Sequence, residues 1–312
     1  MVASEAQDAV GVQSLHKRFG SLVAVAGLDF TVRRGEIFGL VGPDGAGKTT
    51  TMRMLASVMK PDSGQIVIDV VDVVAQPELA KAHVSYMPQR FALYEDLTVD
   101  ENIRFFADLF EVPARVRRER AQRLLQASAM TPFRQRLAGQ LSGGMKQKLG
   151  LACALVHAPR VLLLDEPTTG VDPVSRREFW QILYGLRADG VAMVISTAYL
   201  DEAERCDRLA LMHEGRILYC DTPAKLKQQM PGAIVNIACS HPRELLARVS
   251  ALPGVLGKLL VGDGFHVHVD DGALRLPQLR QAFSQTEVVQ MDLVEPTIED
   301  LFVALLQQRK SA

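Results

Sequence analysis

Apolar and polar positions alternate from about Val10 to Val32, most clearly at Val23, Val25, Leu28, Phe30 and Val32. A period of two predicts antiparallel strands with one buried face. Residues 36–41 form a nearly continuous apolar run, which predicts a short buried strand, and residues 50–56 predict the opening of a helix. The pattern therefore predicts strands up to residue 41 and a helix that starts just after residue 49.

Beyond this helix the pattern changes twice. Strands are predicted at residues 65–68 and 83–87, followed by helical periodicity that dominates from about 93 to 159. Apolar runs separated by helices then resume at residues 161–164, 191–195 and 209–212. Apolar strands that alternate with helices predict an α/β fold with a parallel sheet covered on both faces.

The last part of the chain has a different order of elements. A polar stretch near residues 227–232 predicts a linker, and residues 233–293 predict strand, helix, strand, strand, helix and strand. This order is that of a small α+β, ferredoxin-like βαββαβ domain. A final helix begins at Thr297, where Asp300 has the spacing of a capping box. We expect an α/β domain over residues 1–230, with a helical subdomain at about 93–159, and an accessory domain over 231–312.

Length and charge limit the classes of function. A chain of 312 residues is long enough for two cores, and a net charge of -1 argues against a nucleic-acid partner. Five arginines form a local basic run in one predicted helix: Arg115, Arg117, Arg118, Arg120 and Arg123. Glu119 interrupts the run, which favours a solvated helix face over a polyanion patch.

The cysteines and the N-terminus predict a cytoplasmic location. The four cysteines are widely spaced, without a C-x-x-C pair, so neither a zinc site nor a disulfide framework is indicated. The first eight residues lack the basic start and apolar core of a signal peptide. The uncharged stretches are far shorter than the roughly 20 residues of a membrane helix, so we expect a membrane role to require a partner.

The first candidate for chemistry fits the phosphate-loop pattern G-x-x-x-x-G-K-T. Its residues are Gly42, Pro43, Asp44, Gly45, Ala46, Gly47, Lys48 and Thr49, and Thr50 continues into the predicted helix. A glycine loop between a strand and a helix turns its N–H groups and the helix N-terminus toward an anion. Lys48 is expected to reach the outer phosphates, and Thr49 to offer its hydroxyl to Mg²⁺. A plain glycine-rich turn is the alternative.

Two carboxylates form the second candidate. Asp165 and Glu166 end the apolar run at residues 161–164, where ligands bind in open α/β sheets. Asp165 is suited to hold Mg²⁺ through its water shell, and Glu166 to polarise an attacking water as general base. An acid-rich turn at a strand end is the alternative.

A second glycine motif precedes an apolar helical run. Its residues are Leu141, Ser142, Gly143, Gly144, Met145, Lys146 and Gln147. Ser142 is placed to cap the helix, and the glycines leave room for a phosphate at its N-terminus. Because the chain already has one anion site, we infer that this motif contacts a nucleotide held by another molecule.

These motifs, in this order, resemble those of ABC transporter ATP-binding subunits. Gln89 after Tyr86-Met87-Pro88 and the sequence Gly170-Val171-Asp172 complete the likeness, which covers about residues 10–230. Residues 42–51, 86–98 and 141–155 are similar to one half of a tandem efflux ATPase. The tail at residues 295–302 is similar to accessory domains of drug-exporting relatives.

The resemblance implies that two such domains, in a homodimer or heterodimer, enclose two ATP molecules head to tail on a membrane permease. Each site takes Lys48, Thr49, Gln89, Asp165 and Glu166 from one subunit and the Ser142 to Gly144 motif from the other. Phe19 matches the aromatic residue that stacks on adenine, although a plain core phenylalanine is the alternative. Thr49, Gln89 and Asp165 are the expected Mg²⁺ residues, and Asp172 lies at the seam. The subunit is then peripheral at the cytoplasmic face of the inner or plasma membrane.

Two positions depart from the family pattern. Ala198 stands where relatives have a histidine that contacts the γ-phosphate, and a methyl group cannot donate to a phosphate. Asp44 stands where relatives have asparagine or serine, and its carboxylate repels phosphate unless it points to solvent or to a cation.

Three functions remain open from these departures. The chain is an ATPase that drives export of a small amphipathic, drug-like molecule, or it is an ATP-binding half with slow turnover that completes a partner's site. The third alternative is an ABC ATPase of translation or DNA repair. A single ATP cassette without a net basic surface argues against this third class.

Overall fold

The computed structural model describes residues 8–90, 92–249, 252–284 and 288–311. The chain divides into two compact units. The first unit contains the described residues up to Tyr199 together with Cys206–Cys220. The second unit contains Leu200–Arg205 and the described residues from Asp221 onward.

An antiparallel sheet begins the first unit. Strands β1 (Asp8–Phe19) and β2 (Leu22–Arg33) pair across a tight turn, with β4 (Ser63–Ile68) on the other side of β1 and β5 (Val71–Asp72) at the edge. The buried positions alternate along both long strands, because one face packs on the core and the other faces outward. The alternation at residues 10–32 thus predicted this hairpin correctly.

A six-stranded sheet forms the centre of the first unit, in the order β10-β9-β3-β8-β7-β6. Its strands are β3 (Ile37–Val41), β6 (Val84–Met87), β7 (Val161–Asp165), β8 (Ala192–Thr197), β9 (Arg208–His213) and β10 (Arg216–Asp221). Strands β6, β7, β8, β3 and β9 run parallel, and every residue of β3, β7 and β8 is buried. Helices α1 (Lys48–Leu55), α2 (Pro77–His83) and α6 (Pro173–Ala188) flank these strands in the chain. The parallel arrangement brings the carboxyl ends of β3, β7 and β8 to one edge of the sheet.

Between β6 and β7 lies a helical block. It contains α3 (Val99–Leu109), α4 (Ala114–Ala127) and α5 (Gly143–Leu155), which bury a separate apolar core that includes Ile103, Leu125 and Leu149. Thr98 caps α3 in a capping box with Glu101. Three arginines of the run in α4 are exposed, as expected of a solvated face: Arg115, Arg118 and Arg123. Arg117 and Arg120 are partly buried, since Arg117 pairs with Asp108 and Arg120 donates to Val156 O at 3.0 Å.

The second unit is a four-stranded antiparallel sheet with helices. Its strands, in the order β12-β13-β11-β14, are β11 (Ala233–Cys239), β12 (Val255–Val261), β13 (Gly264–Val269) and β14 (Val288–Val294). Helices α9 (Pro242–Val249) and α10 (Gly272–Ala282) connect them in the predicted order of strand, helix, strand, strand, helix and strand. The remaining helices are α7 (Leu200–Ala203), α8 (Pro223–Gln228) and α11 (Ile298–Ser311). Thr297 and Asp300 form the expected capping box of α11.

The predicted linker at residues 227–232 is partly wrong. Lys227 lies in α8, so only residues 229–232 connect this helix to β11. Thr222 caps α8 by accepting a hydrogen bond from Lys225 N at 3.3 Å, and Pro223 occupies the first turn. Threonine followed by proline is a helix start signal that the polar composition of the stretch obscured. No helix in the described part of the chain is long and apolar enough to span a bilayer.

Candidate functional site

The phosphate-loop residues form a tight connection between β3 and α1. Gly47 precedes the helix with a φ of 99°, and a Cβ there would lie 2.4 Å from Ala24 O. A Cβ on Gly42 would lie 2.2 Å from Met212 O. The loop therefore needs glycine at both positions, because neighbouring backbone occupies the space of a side chain.

Lys48 is buried at the start of α1, and its charge is compensated within the pocket. Its ammonium donates to Gly42 O at 2.8 Å and to Pro43 O at 3.1 Å. It also lies 3.4 Å from Glu166 Oε1. Glu166 is part of the same local network, since Gln89 Nε2 donates to its Oε2 at 3.0 Å. The fold thus brings together Lys48, Gln89 and Glu166.

Asp165 ends β7 and is 1 % exposed. Its Oδ1 accepts hydrogen bonds from Thr49 Oγ1 at 3.1 Å and from Ser196 Oγ at 2.5 Å. Its Oδ2 accepts from the Tyr86 hydroxyl at 3.1 Å. Burial, together with the negative charge of Asp165, raises the pKa of Tyr86 to about 12, with Arg53 acting in the opposite direction. Asp165 and Thr49 lie side by side, as expected of two groups that serve one cation.

The next residue, Glu166, has an unusual backbone conformation. Its φ is 49°, which is uncommon for a residue with a side chain. Its N–H donates to Ser196 O at 3.0 Å and lies 3.1 Å from Ser196 Oγ. These bonds to β8 compensate for the conformation and direct consecutive carboxylates, Asp165 and Glu166, to different partners.

A pocket of about 420 Å³ contains most of the predicted nucleotide residues. Its lining residues are Phe19, Leu22, Val23, Ala24, Asp44, Gly45, Ala46, Gly47, Lys48, Thr49, Thr50, Gln89 and Glu166. Phe19 is 47 % exposed there, so the alternative that it is a core residue is wrong. Asp44 is also exposed, and it lines the same pocket.

Sequence reasoning missed several residues of this region. Leu22, Val23 and Ala24 line the pocket from β2, and Leu22 is 65 % exposed. The sequence signal for these residues was the group of apolar side chains close to Phe19. In a strand with alternating burial, however, such residues cannot be told from other outward-facing positions. Ser196 and Tyr86 received no role because they meet Asp165 only through the pairing of parallel strands.

The second glycine motif lies at the N-terminus of α5. Ser142 Oγ accepts a hydrogen bond from Met145 N at 3.3 Å, as expected of a cap. Ser142 and Gly143 are exposed, whereas Leu141 and Gly144 are buried. Gln147 Oε1 is buried without a hydrogen-bond partner among the described residues. The lining of the 420 Å³ pocket, as described above, includes none of these motif residues.

Asp172 and Ala198 occupy other loops of the first unit. Asp172 caps α6, and the N–H of Ser175 is the largest cause that lowers the pKa of its carboxyl. Ala198 follows β8 and is exposed. Beside it, Tyr199 N donates to Thr197 Oγ1 at 2.9 Å, and the Arg176 guanidinium lies 4.6 Å from the Tyr199 ring centre.

An apolar groove of about 320 Å³ lies between β6 and the helical block. It is lined by Val58, Tyr86, Phe106, Leu109 and Phe110, among others. Val58 is 66 % exposed and Leu109 is 65 % exposed. Lys81 lines the same groove and forms an ion pair with Glu78 at 2.7 Å.

A strand, a phosphate loop with a buried lysine, and a strand-end pair of carboxylates define a phosphate-loop nucleotide-binding domain. The family described as "ABC transporter" matches residues 25–169. The chain is 33% identical over 308 residues to the daunorubicin resistance ATP-binding protein DrrA2 of Streptomyces coeruleorubidus, covering 96% of each chain. It is 36% identical to the Nod factor export ATP-binding protein I of Rhizobium sp. (strain N33), covering 95% of this chain and 96% of that one. The chain therefore belongs to the ATP-binding proteins of ABC transporters.

A longer relative shows higher identity. The probable multidrug ABC transporter ATP-binding protein YbhF of Escherichia coli is 46% identical over 301 residues. The match covers 95% of this chain and 52% of YbhF, so the chain spans about half the length of that relative. This proportion agrees with the resemblance to one half of a tandem ATPase.

Solved structures give the same fold. An ATP-binding subunit of an ABC transporter superposes with a TM-score of 0.65 at 29% identity, covering 71% of this chain and 92% of that chain. The structure of cbiO1 from Clostridium perfringens, part of the ABC transporter complex cbiONQ, gives a TM-score of 0.66 at 24% identity, over 79% and 97% of the two chains. The ABC-type ATPase fold predicted from the motifs is thus confirmed.

Proposed function

We propose that this chain is the ATP-binding and ATP-hydrolysing subunit of an exporter that moves a small amphipathic molecule through a separate membrane permease. Relatives named for multidrug transport, daunorubicin resistance and Nod factor export support this assignment. The observation that carries it is the single pocket in which the phosphate loop, Gln89 and Glu166 meet. The export names also favour transport over a role in translation or DNA repair.

The pocket divides into an apolar end and a polar end. Phe19, with Leu22 and Val23 beside it, offers an apolar surface on which adenine stacks. Lys48 and the N–H groups of the loop bind the outer phosphates, and the N-terminus of α1 adds partial positive charge. The phosphates take the lysine away from Glu166, which is then available to polarise a water as general base.

The residues present suit a magnesium ion. The Thr49 hydroxyl and Asp165 Oδ1 are 3.1 Å apart, and both are the hard oxygen donors that Mg²⁺ prefers. When bound, the ion neutralises charge that develops on the phosphates. Thr49 contributes its hydroxyl and Asp165 its buried carboxylate through water, while Gln89 links this region to the segment that leads to the helical block.

A second ATP-binding domain completes the site. Ser142 and Gly143 are exposed at a helix N-terminus outside the pocket, which suits contact with a nucleotide held by another subunit. Two domains then enclose two ATP molecules head to tail, with Leu141, Gly144 and Gln147 supporting the exposed pair. Asp172 is placed at the seam between them.

The apolar groove between β6 and the helical block is the proposed docking surface for the permease. Its exposed Val58 and Leu109 and its 320 Å³ volume suit the apolar face of an amphipathic helix. The subunit is then peripheral, at the cytoplasmic face of the membrane. The second unit, Leu200–Arg205 with the described residues from Asp221 onward, is an accessory domain that stabilises or regulates this assembly.

The test is ATP turnover by the purified chain with and without Mg²⁺. Glu166→Gln is expected to reduce turnover by about 10² to 10⁴, the usual contribution of a general base, while ATP binding persists. Glu78→Gln, at a position 83% exposed, is the matched control and should leave turnover unchanged. Undiminished hydrolysis in Glu166→Gln would contradict the assignment of the base.

A second candidate function rests on Ala198. Because alanine offers no donor to a phosphate, the chain is in this case an ATP-binding half that turns over slowly and completes the site of a different ATPase domain. Ala198→His is the smallest change that distinguishes the two. A gain in turnover of tenfold or more, about 1.4 kcal/mol, favours the slow half, whereas an unchanged rate favours a working ATPase in which Glu166 suffices.

A further inference from the structure

Tyr86 contacts Asp165 although it is not one of the predicted site residues. It lies on β6, beside Leu163 of β7 in the parallel pairing, and three residues before Gln89. Its hydroxyl donates to Asp165 Oδ2 at 3.1 Å. Its ring is half-buried against the main core of the first unit, which limits the positions that the hydroxyl can take.

The three hydroxyl donors to Asp165 divide between its two oxygens. Thr49 and Ser196 donate to Oδ1, and Tyr86 donates to Oδ2. A carboxylate bonded at one oxygen can still rotate about its χ2, which is a soft torsion. The bond to Oδ2 fixes that rotation, and therefore fixes the direction in which Oδ1 faces Thr49.

We propose that Tyr86 is a positioning residue for the magnesium-dependent step, holding the Asp165 carboxylate in the orientation that serves the cation. This inference rests on the proposed function, because it takes Asp165 and Thr49 as the magnesium residues. Partners that orient metal ligands contribute about 10- to 100-fold to metal affinity, although they never touch the metal. Tyr86 also lines the apolar groove, so one side chain links that groove to Asp165.

Tyr86→Phe isolates the hydroxyl, because it keeps the ring in place. The experiment uses the full chain with Glu166→Gln, so that ATP is retained, and measures the Mg²⁺ concentration that gives half-maximal ATP binding. We expect Tyr86→Phe to raise that concentration by about tenfold, with nucleotide binding in EDTA unchanged. Tyr184→Phe is the matched control, since the Tyr184 ring packs beside Trp180 on α6 and takes no part in the pocket.

A double-mutant cycle separates positioning from a general structural effect. In a chain that already carries Asp165→Asn, Tyr86→Phe should raise the half-maximal Mg²⁺ concentration by less than about twofold, because the bond partner has changed. If Tyr86→Phe acted through a general loss of structure, it would have its full effect in that background as well. A normal Mg²⁺ requirement in Tyr86→Phe, together with a raised one in Asp165→Asn, overturns the inference and leaves the proposed function intact. If Mg²⁺ has no effect on ATP binding by the unmodified chain, the proposed function fails first, and the inference fails with it.

Discussion

The pocket at the phosphate loop and the N-terminus of α5 both contact phosphate in the proposed function, but they differ in how their polar groups are satisfied. In the pocket, Lys48, Gln89 and Glu166 are partners of one another. At α5, the Ser142 side chain accepts a hydrogen bond from its own helix, and Ser142 and Gly143 face solvent. The pocket therefore presents paired groups from one chain, whereas the exposed residues of the helix end suit the ligand of another molecule, as proposed above.

Replacing Lys48 tests the pocket, whose groups come from one chain, and it has the largest effect on ATP affinity that we expect. Lys48→Ala removes the ammonium that pairs with phosphate, and a charged hydrogen bond is worth about 1.5–3 kcal/mol, so ATP affinity should fall by about 10- to 100-fold or more. Equilibrium titration with ATP measures this change. Lys60→Ala, at an exposed lysine, should bind ATP as the unmodified chain does. Equal affinities in the two variants would contradict the assigned pocket.

Mixing two inactive variants tests whether the helix end acts on another copy. Lys48→Ala spoils the pocket and Ser142→Arg blocks the helix end, so neither variant alone should hydrolyse ATP. In an equal mixture, about half the dimers contain one copy of each variant, and one of the two sites in such a dimer is intact. Turnover should therefore recover to about a quarter of the unmodified rate. Absence of recovery, with both variants folded, would instead indicate a different partner ATPase domain.

Two adjacent glycines offer a smaller test within the α5 motif. A Cβ on Gly144 would lie 2.4 Å from Ser175 Oγ, whereas a Cβ on Gly143 meets nothing within 4 Å. Gly144→Ala should therefore lower the free energy of unfolding by about 1–3 kcal/mol through overpacking. Gly143→Ala should leave it unchanged or raise it by up to about 1 kcal/mol, since alanine favours helix. Urea denaturation compares them, and equal stabilities would mean that the buried side of the motif is not closely packed.

The local motifs could be predicted from the sequence because their function depends on neighbours along the chain. The phosphate loop needs a strand before it and a helix after it, and both are visible as hydrophobic patterns at β3 and α1. Thr297 likewise shows its cap through spacing alone. The order of strands and helices along residues 233–294 could likewise be predicted from the alternation of their patterns.

Contacts between distant segments could not be predicted in this way. Tyr86 reaches Asp165 across 79 positions, and Ser196 across 31, because parallel strands place them side by side. A sequence pattern gives the strands but not their neighbours in the sheet. Leu22 and Val23 were missed for a related reason, since only the fold shows that their outward face lines the nucleotide pocket.

Because Lys48 already forms an ion pair with Glu166, binding of ATP replaces one anionic partner of the lysine by another. Before the γ-phosphate can pair with the Lys48 ammonium, the Glu166 carboxylate, which is 3.4 Å from it, must move away. An internal competitor of this kind lowers the apparent affinity for nucleotide. Under the proposed function, it also ties the release of Glu166 from the lysine to the arrival of ATP. Tighter ATP binding in Glu166→Gln would therefore follow from the lost competition alone, without any contribution from blocked hydrolysis.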